Sequence, residues 1–344
     1  MTADAERRLE RPLLAVLVLS AVGLGCTCGS SKPPEKAPPP SGLEAIRQML
    51  ALPEDKIDLA KAKLTIDQMV DPATDVRATM AQLDSIARSV ASRLPADANS
   101  RTKVEALRAQ IYEAGPWNEN RPFSYDLDDP FGRTLRNKLL ATYLATRKGN
   151  CISMPMLFIV VGQKLGLDVT ATTAPEHVLV KYRDEAGSLY NLETTSGAGF
   201  TSDGWIKSQI PMSEESLNNG LYLRRLSKRE TVAVMLGTLM EHYGREGRHE
   251  DRLALARLAL EHAPKDISAM MQVHAAYGGM IQRDFRARYS SPRDIPMEQR
   301  ARYIELNREG QAWLQKSEAL GWREPTQEQV QRYKQTVDGV KSGH

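Results

Sequence analysis

The chain first sorts its apolar residues onto single helical faces. Leu59, Ala62, Ile66, Met69 and Val70 recur at three- and four-residue spacing, and after Pro72 the stripe returns as Met80, Leu83, Ile86, Ala87 and Val90. Two stripes broken by a proline predict paired amphipathic helices. A third helix is expected from about Ser100 to Tyr112, stopped by Gly115-Pro116. The stretch from Asn118 to Pro130 is rich in Asn, Asp and Pro and reads as a surface loop. Beyond it a helix is expected from about Arg133 to Thr146, closed by Gly149.

From Cys151 to Leu165 the pattern changes, because nearly every position is apolar: Ile152, Met154, Met156, Leu157, Phe158, Ile159, Val160, Val161 and Leu165. A helix with no polar face is central and buried. Pro155 is tolerated only in a first turn, so this helix should begin near Cys151. Strands are expected next at Asp168–Thr173, His177–Tyr182 and Leu189–Thr194, with Asp184-Glu185-Ala186-Gly187 as a turn. A turn centred near residue 185 pairs 181 with 189, 179 with 191 and 177 with 193, which sets His177 and Glu193 opposite each other. A centre one residue later puts Thr195 opposite His177 instead. Helices resume from Arg229 to Pro264, and the segment from Ile267 to Tyr333 is helical in pattern without a register that can be read.

Composition narrows the setting. With 46 basic and 43 acidic residues the net charge is +3, so nothing in this balance points to nucleic acid. At 344 residues the chain has room for two domains, or for one large domain with an appendage. Arg7, Arg8 and Arg11 precede an apolar run from Leu13 to Leu24, the layout of a secretory signal peptide. That run falls short of the roughly 20 apolar residues a spanning helix needs. It closes on Gly23-Leu24-Gly25-Cys26, which resembles the lipobox of bacterial lipoproteins, with Gly23 where a large aliphatic residue is usual. The alternative is an ordinary cleaved signal. Five prolines and no large apolar residue between Ser30 and Gly42 predict an extended tether. The expected product is exported to a bacterial cell envelope and held to a membrane by lipid at Cys26.

With Cys26 and Cys28 in the targeting segment, Cys151 stands alone in the remaining chain. A lone thiol in an exported protein calls for burial or for a reactive role. A helix N-terminus stabilises a thiolate through the positive end of its dipole, and Cys151 has that setting. His177 supplies a general base near neutrality. Glu193, or in the alternative Asn191, would orient the imidazole through its other nitrogen. An oxyanion would find only the backbone N–H of Cys151. His242, His249 and His262 lack metal-ligand spacing, so neither a metal nor a cofactor is expected.

Three blocks carry a family resemblance: Arg147-Lys148-Gly149-Asn150-Cys151-Ile152-Ser153, Ala174-Pro175-Glu176-His177-Val178-Leu179-Val180, and Asn191-Leu192-Glu193-Thr194-Thr195. Together they resemble the signature blocks of the bacterial transglutaminase-like superfamily, whose members share a papain-type fold and a Cys-His-Asp triad. The resemblance implies an α+β fold, with a papain/transglutaminase-like core of one central buried helix on a small antiparallel sheet, flanked by helical regions. It places Cys151 as nucleophile, His177 as base and Glu193 where Asp is usual. Some members of the branch lack the cysteine, so activity rests on the residues present. Leu236, Leu239, Tyr243, Gly247, Ala256, Ala259 and Pro264 further resemble one tetratricopeptide repeat, although Met240 and Arg252 stand where Gly and Ala are expected. The expected division is a signal at 1–25, a tether at 26–42, a helical part at 43–146, the core at 147–228 and tetratricopeptide-like helices at 229–344. The expected activity is thiol acyl transfer on a peptide or protein substrate. The rival is an inactive envelope scaffold that binds a protein through its C-terminal helices.

Overall fold

A computed structural model describes residues 41–332 and 335. The apolar signal-like run, Cys26, Cys28 and the tether up to residue 40 lie outside the described residues.

Four helices open the fold: α1 (Ser41–Leu50), α2 (Leu59–Val70), α3 (Val76–Ala91) and α4 (Ser100–Tyr112). The starts of the last three are set by short polar side chains that take up otherwise orphaned N–H groups. Asp58 accepts from Lys61 N at 3.0 Å, Asp75 from Ala78 N at 2.9 Å and Asn99 from Thr102 N at 2.9 Å. The apolar stripes then turn inward, so that Leu59, Leu64, Ile66, Leu83, Val90, Leu107 and Ile111 are all buried.

The helix expected from Arg133 is shorter and later. A 3-10 turn at Leu135–Lys138 comes first, and α5 runs only over Leu140–Thr146. The break is imposed from α2. The Asp67 carboxylate accepts from Leu140 N at 2.8 Å, and the Lys63 ammonium donates to Asp67 and, at 2.9 Å, to the Lys138 carbonyl. Both Lys63 and Asp67 are buried, so this paired contact fixes where α5 begins. The expected loop at 118–130 also contains β1 (Ser124–Tyr125), which pairs in parallel with β2 (Lys148–Gly149). Two residues are too few to show strand alternation.

Helix α6 (Ser153–Lys164) is the central element, with every residue from Ser153 to Gly162 buried. Each large apolar side chain there contributes about 1.5–3 kcal/mol over leaving it exposed. Gly162 permits the sheet to close on it, since a Cβ at that position would sit 2.9 Å from Val169 Cγ2.

The sheet is antiparallel in the order β3 (Asp168–Ala174), β4 (His177–Arg183), β5 (Leu189–Glu193) and β6 (Gly199–Thr201). Sequence patterning did not show β6. The β4–β5 register also differs from the first expectation, because Lys181 pairs with Asn191 and Tyr182 with Tyr190. The cause is the turn. Asp184 and Ser188 close it, with Asp184 N donating to Ser188 O at 3.0 Å and Ser188 N to Asp184 Oδ1 at 2.8 Å. Gly187 takes the left-handed conformation at φ 86° that a three-residue hairpin loop requires. The loop is therefore centred on 186, and its register sets 193, the last residue of β5, opposite 179 rather than 177. The error is two positions along the partner strand, so His177 and Glu193 keep the same side-chain parity.

Helices α7 (Asp203–Gln209) and α8 (Glu214–Asn218) lead to a strap that covers the free edge of β3. Leu223 N donates to Thr173 O at 2.9 Å and Leu226 N to Ala171 O at 3.1 Å. Then follow α9 (Lys228–Arg245), α10 (His249–His262), α11 (Ile267–Ile281) and α12 (Met297–Ala319). Each packs on the next, and α9 also packs on α2. The fold is α+β: a central buried helix against a small antiparallel sheet, with helices on either side. Among the described residues no helix is long and apolar enough to cross a membrane.

Candidate active site

Cys151 is placed by its neighbours. Gly149 must be glycine for β2 to pass here, because a Cβ would lie 2.6 Å from the Tyr143 ring and 2.8 Å from Met154 Cγ. Asn150 then caps α6: its Oδ1 accepts from Ile152 N at 3.0 Å and Ser153 N at 3.1 Å, while Asn150 N donates back to Ser153 Oγ at 3.1 Å. The first helical bond runs from Met154 N to Asn150 O at 3.0 Å. By hydrogen bonding, Cys151 thus occupies the first helical position, although the regular helix runs from Ser153. The thiol is free and half-buried, and among the described residues the Cys151 N–H has no acceptor.

His177 enters from a two-residue turn between β3 and β4, in which Ala174 pairs with His177. Glu176 in that turn has φ 54°, a left-handed conformation that costs a non-glycine residue about 1 kcal/mol or more. The turn sets the Glu176 carbonyl 3.8 Å from Cys151 Sγ, which donates to it. The His177 ring is bonded to Glu193, with Nε2 2.8 Å from Glu193 Oε2, and Cys151 is the other group that acts on it. That bond leaves Nδ1 as the nitrogen available to the thiol. The two side chains are only 16% and 9% exposed, so the pair is poorly screened.

The electrostatics follow from these contacts. Burial pulls the His177 pKa down, but the hydrogen bonds to Cys151 and Glu193 outweigh it and push the value up to about 10. Burial raises the Glu193 carboxyl, yet the bonds from His177 and Thr195 more than offset it and hold the group below its ordinary value. Both shifts favour an imidazolium beside a carboxylate. Burial first, then Tyr143 and Glu193, keeps the Tyr112 phenol protonated nearby.

Cys151, His177 and Glu193, separated by up to 42 positions in the chain, are therefore brought together. Asn191 is not part of the row. Its Oδ1 accepts from Lys181 Nζ at 2.6 Å, and its Nδ2 donates to Asp203 Oδ1 at 2.6 Å and Thr201 O at 3.3 Å. Three residues that sequence reasoning did not place in the site also shape it: Gly149, Asn150 as the cap, and Thr195 on the Glu193 carboxylate. The cap had a signal in Asn-x-x-Ser at the head of the apolar run. Thr195 entered only as a register alternative.

Residues 77–237 match the family model of the transglutaminase-like superfamily. The chain carries a transglutaminase-like domain. No curated protein and no solved structure matches the chain. The match spans α3 to the first half of α9, so the domain includes the buried helix, the sheet and all three candidate residues.

Proposed function

We propose that this domain is a thiol acyl-transfer enzyme acting on amide or ester bonds of a peptide or protein, with Cys151, His177 and Glu193 as its triad. The observation that carries the reading is the 2.8 Å bond from His177 Nε2 to the Glu193 carboxylate, with the Cys151 sulfur held at the Glu176 carbonyl one residue before His177. In this mechanism the Cys151 sulfur adds to the substrate carbonyl, and the developing oxyanion is met by the unengaged Cys151 N–H. The His177 imidazolium gives its proton to the departing amine or alcohol as the C–N or C–O bond breaks. Water, activated by the now neutral imidazole, then releases the acyl group as an acid and restores the thiol. An amine acceptor in place of water gives transfer instead.

In the same reading the chain is exported, cleaved before Cys26 and lipid-anchored there in a bacterial cell envelope, with the proline-rich segment as its tether. Helices α9–α12 form a tetratricopeptide-like region, following a helical part at 43–146 and a core at 147–228, and offer a surface to a protein partner. Mass spectrometry of the native N-terminus tests the anchor; an unlipidated or uncleaved chain removes it.

Alkylation by iodoacetamide tests the enzyme. The native protein should label at Cys151 rapidly near neutral pH, Cys151→Ala should not label there, and His177→Ala should label more slowly by roughly tenfold or more, since an unassisted thiol is only a few per cent thiolate near pH 7. A native thiol that is inert while the unfolded chain labels normally would defeat the proposal and leave the scaffold reading.

A further inference from the structure

We propose that Thr195 is a positioning residue of this site: its backbone N–H and hydroxyl hold one oxygen of Glu193 so that the other is presented to His177. The inference rests on the acyl-transfer reading and deepens it by naming what lets a glutamate serve there.

The hairpin sets the problem that Thr195 solves. Its register brings Glu193 opposite Leu179, and the chain leaves the sheet at Thr194, so Glu193 must reach a diagonal neighbour at His177. Diagonal positions lie about 7–8 Å apart, against roughly 4.5–5.5 Å for direct pairs, and the longer side chain spans the difference. Length brings freedom, however, since a glutamate has more rotamers to lose than an aspartate. Thr195 removes that freedom. Glu193 Oε1 accepts from Thr195 N at 2.9 Å and from Thr195 Oγ1 at 2.6 Å, while Oε2 meets His177 Nε2 at 2.8 Å. Both oxygens are therefore committed, each to a charge-assisted bond.

The clamp is itself anchored. Glu193 caps the 3-10 turn Thr194–Ser196 with its side chain. Gly197, at φ 85°, ends the turn, and Ala198 N donates back to Glu193 O at 2.8 Å. The segment thus folds over its own carboxylate, and β6 follows directly. Thr195 touches no reacting atom; it acts through Glu193 and the imidazole.

The test compares Thr195→Val, which keeps the N–H and removes the hydroxyl, with Thr195→Ser, which restores it. Two readouts are followed in the full chain: the titration of the Glu193 carboxyl by carbon-13 NMR, and the pH profile of iodoacetamide labelling at Cys151. The valine variant should titrate Glu193 at higher pH than the native protein and carry the acid limb of labelling upward with it. Its neutral-pH labelling rate should fall by roughly three- to tenfold, the effect of losing one hydrogen bond of ordinary strength while the Thr195 N–H bond remains. The serine variant should match the native protein in both. An unchanged Glu193 titration in folded Thr195→Val overturns the clamp, even where native Cys151 is reactive and the acyl-transfer reading stands. An inert native thiol overturns that reading, and the positioning role with it. Thr195→Ala removes the same hydroxyl without added bulk, and it takes the place of the valine variant if that variant misfolds.

Discussion

Helix α6 and helix α12 use apolar surface in opposite ways. All of α6 from Ser153 to Gly162 is buried, whereas α12, nearly twice as long, buries Leu306, Gly310 and Ser317 and leaves Met297 76% and Ile304 63% exposed. The helix that is enclosed on all sides carries the thiol at its N-terminus. A site held on a rigid, enclosed element keeps its geometry to a fraction of an ångström, whereas an exposed terminal helix is free to offer a surface. The chain thus encloses the helix that starts beside the candidate thiol and leaves α12 largely open.

The sharpest way to break the comparison is to remove apolar volume from each helix. Leu157→Ala should cost about 2–5 kcal/mol, because the elements packed around α6, α3 and β3 among them, cannot collapse fully into the space. Ile304→Ala on α12 should change stability by no more than about 0.5 kcal/mol. Urea unfolding of the two variants decides the matter. Comparable losses would mean that α12 is covered in the folded protein and that the contrast drawn from its exposure is wrong.

A smaller effect separates the regions by pH. The His177 pKa is raised from 6.5 to about 10, so the stabilisation it reflects is full below pH 6.5 and fades as pH rises through about 10. Glu193 is shifted the other way, so its share is present above 4.5 and fades as pH falls through its lowered value. The pair therefore stabilises the fold most between these limits. Glu193→Gln should be less stable than the native protein in mildly acidic to neutral solution, and the gap should narrow towards pH 10. Labelling at Cys151 should persist with an altered pH profile, since the glutamine still accepts from the imidazole. A gap that widens with rising pH would reverse the assigned charges.

Much of this architecture is legible in residue patterns, and what is not has local causes. The stripes of α2, α3 and α4 are long and regular, and the all-apolar run of α6 identifies the central helix without help. The hairpin could be seen, but its register depended on whether Gly187 closes a three-residue loop, which composition alone leaves open. The His177–Glu193 contact survived the wrong register because an offset of two preserves parity. By contrast, β1 and β2 are two residues each and have no period to detect. The split at α5 comes from the buried Lys63–Asp67 pair, a tertiary contact reaching more than 70 positions along the chain. The segment from Ile267 resisted alignment because α12 buries so few side chains that its apolar period is faint.

The smallest expected effect is also the most selective test, because the two regions begin with the same device. Helix α6 opens on Asn150 and Ser153, which exchange bonds at 3.1 Å each way. Helix α9, at the head of the C-terminal helices that end in the open α12, starts with Ser227 and Glu230, with Glu230 N donating to Ser227 Oγ at 3.1 Å and Ser227 N to Glu230 Oε2 at 2.9 Å. Each box satisfies two orphaned donors, so Asn150→Ala and Ser227→Ala should each cost about 1 kcal/mol. The consequences for Cys151 should differ. Asn150 also holds Ile152 N, so its loss loosens the turn that carries the sulfur, and labelling should slow several-fold. Ser227 bonds within its own helix start, and its alanine variant should label like the native protein. Measuring unfolding and labelling on both variants separates stability from positioning. Equal slowing in the two would mean that the thiol responds to global stability alone, and that the enclosure of α6 gives its N-terminus no special hold on Cys151.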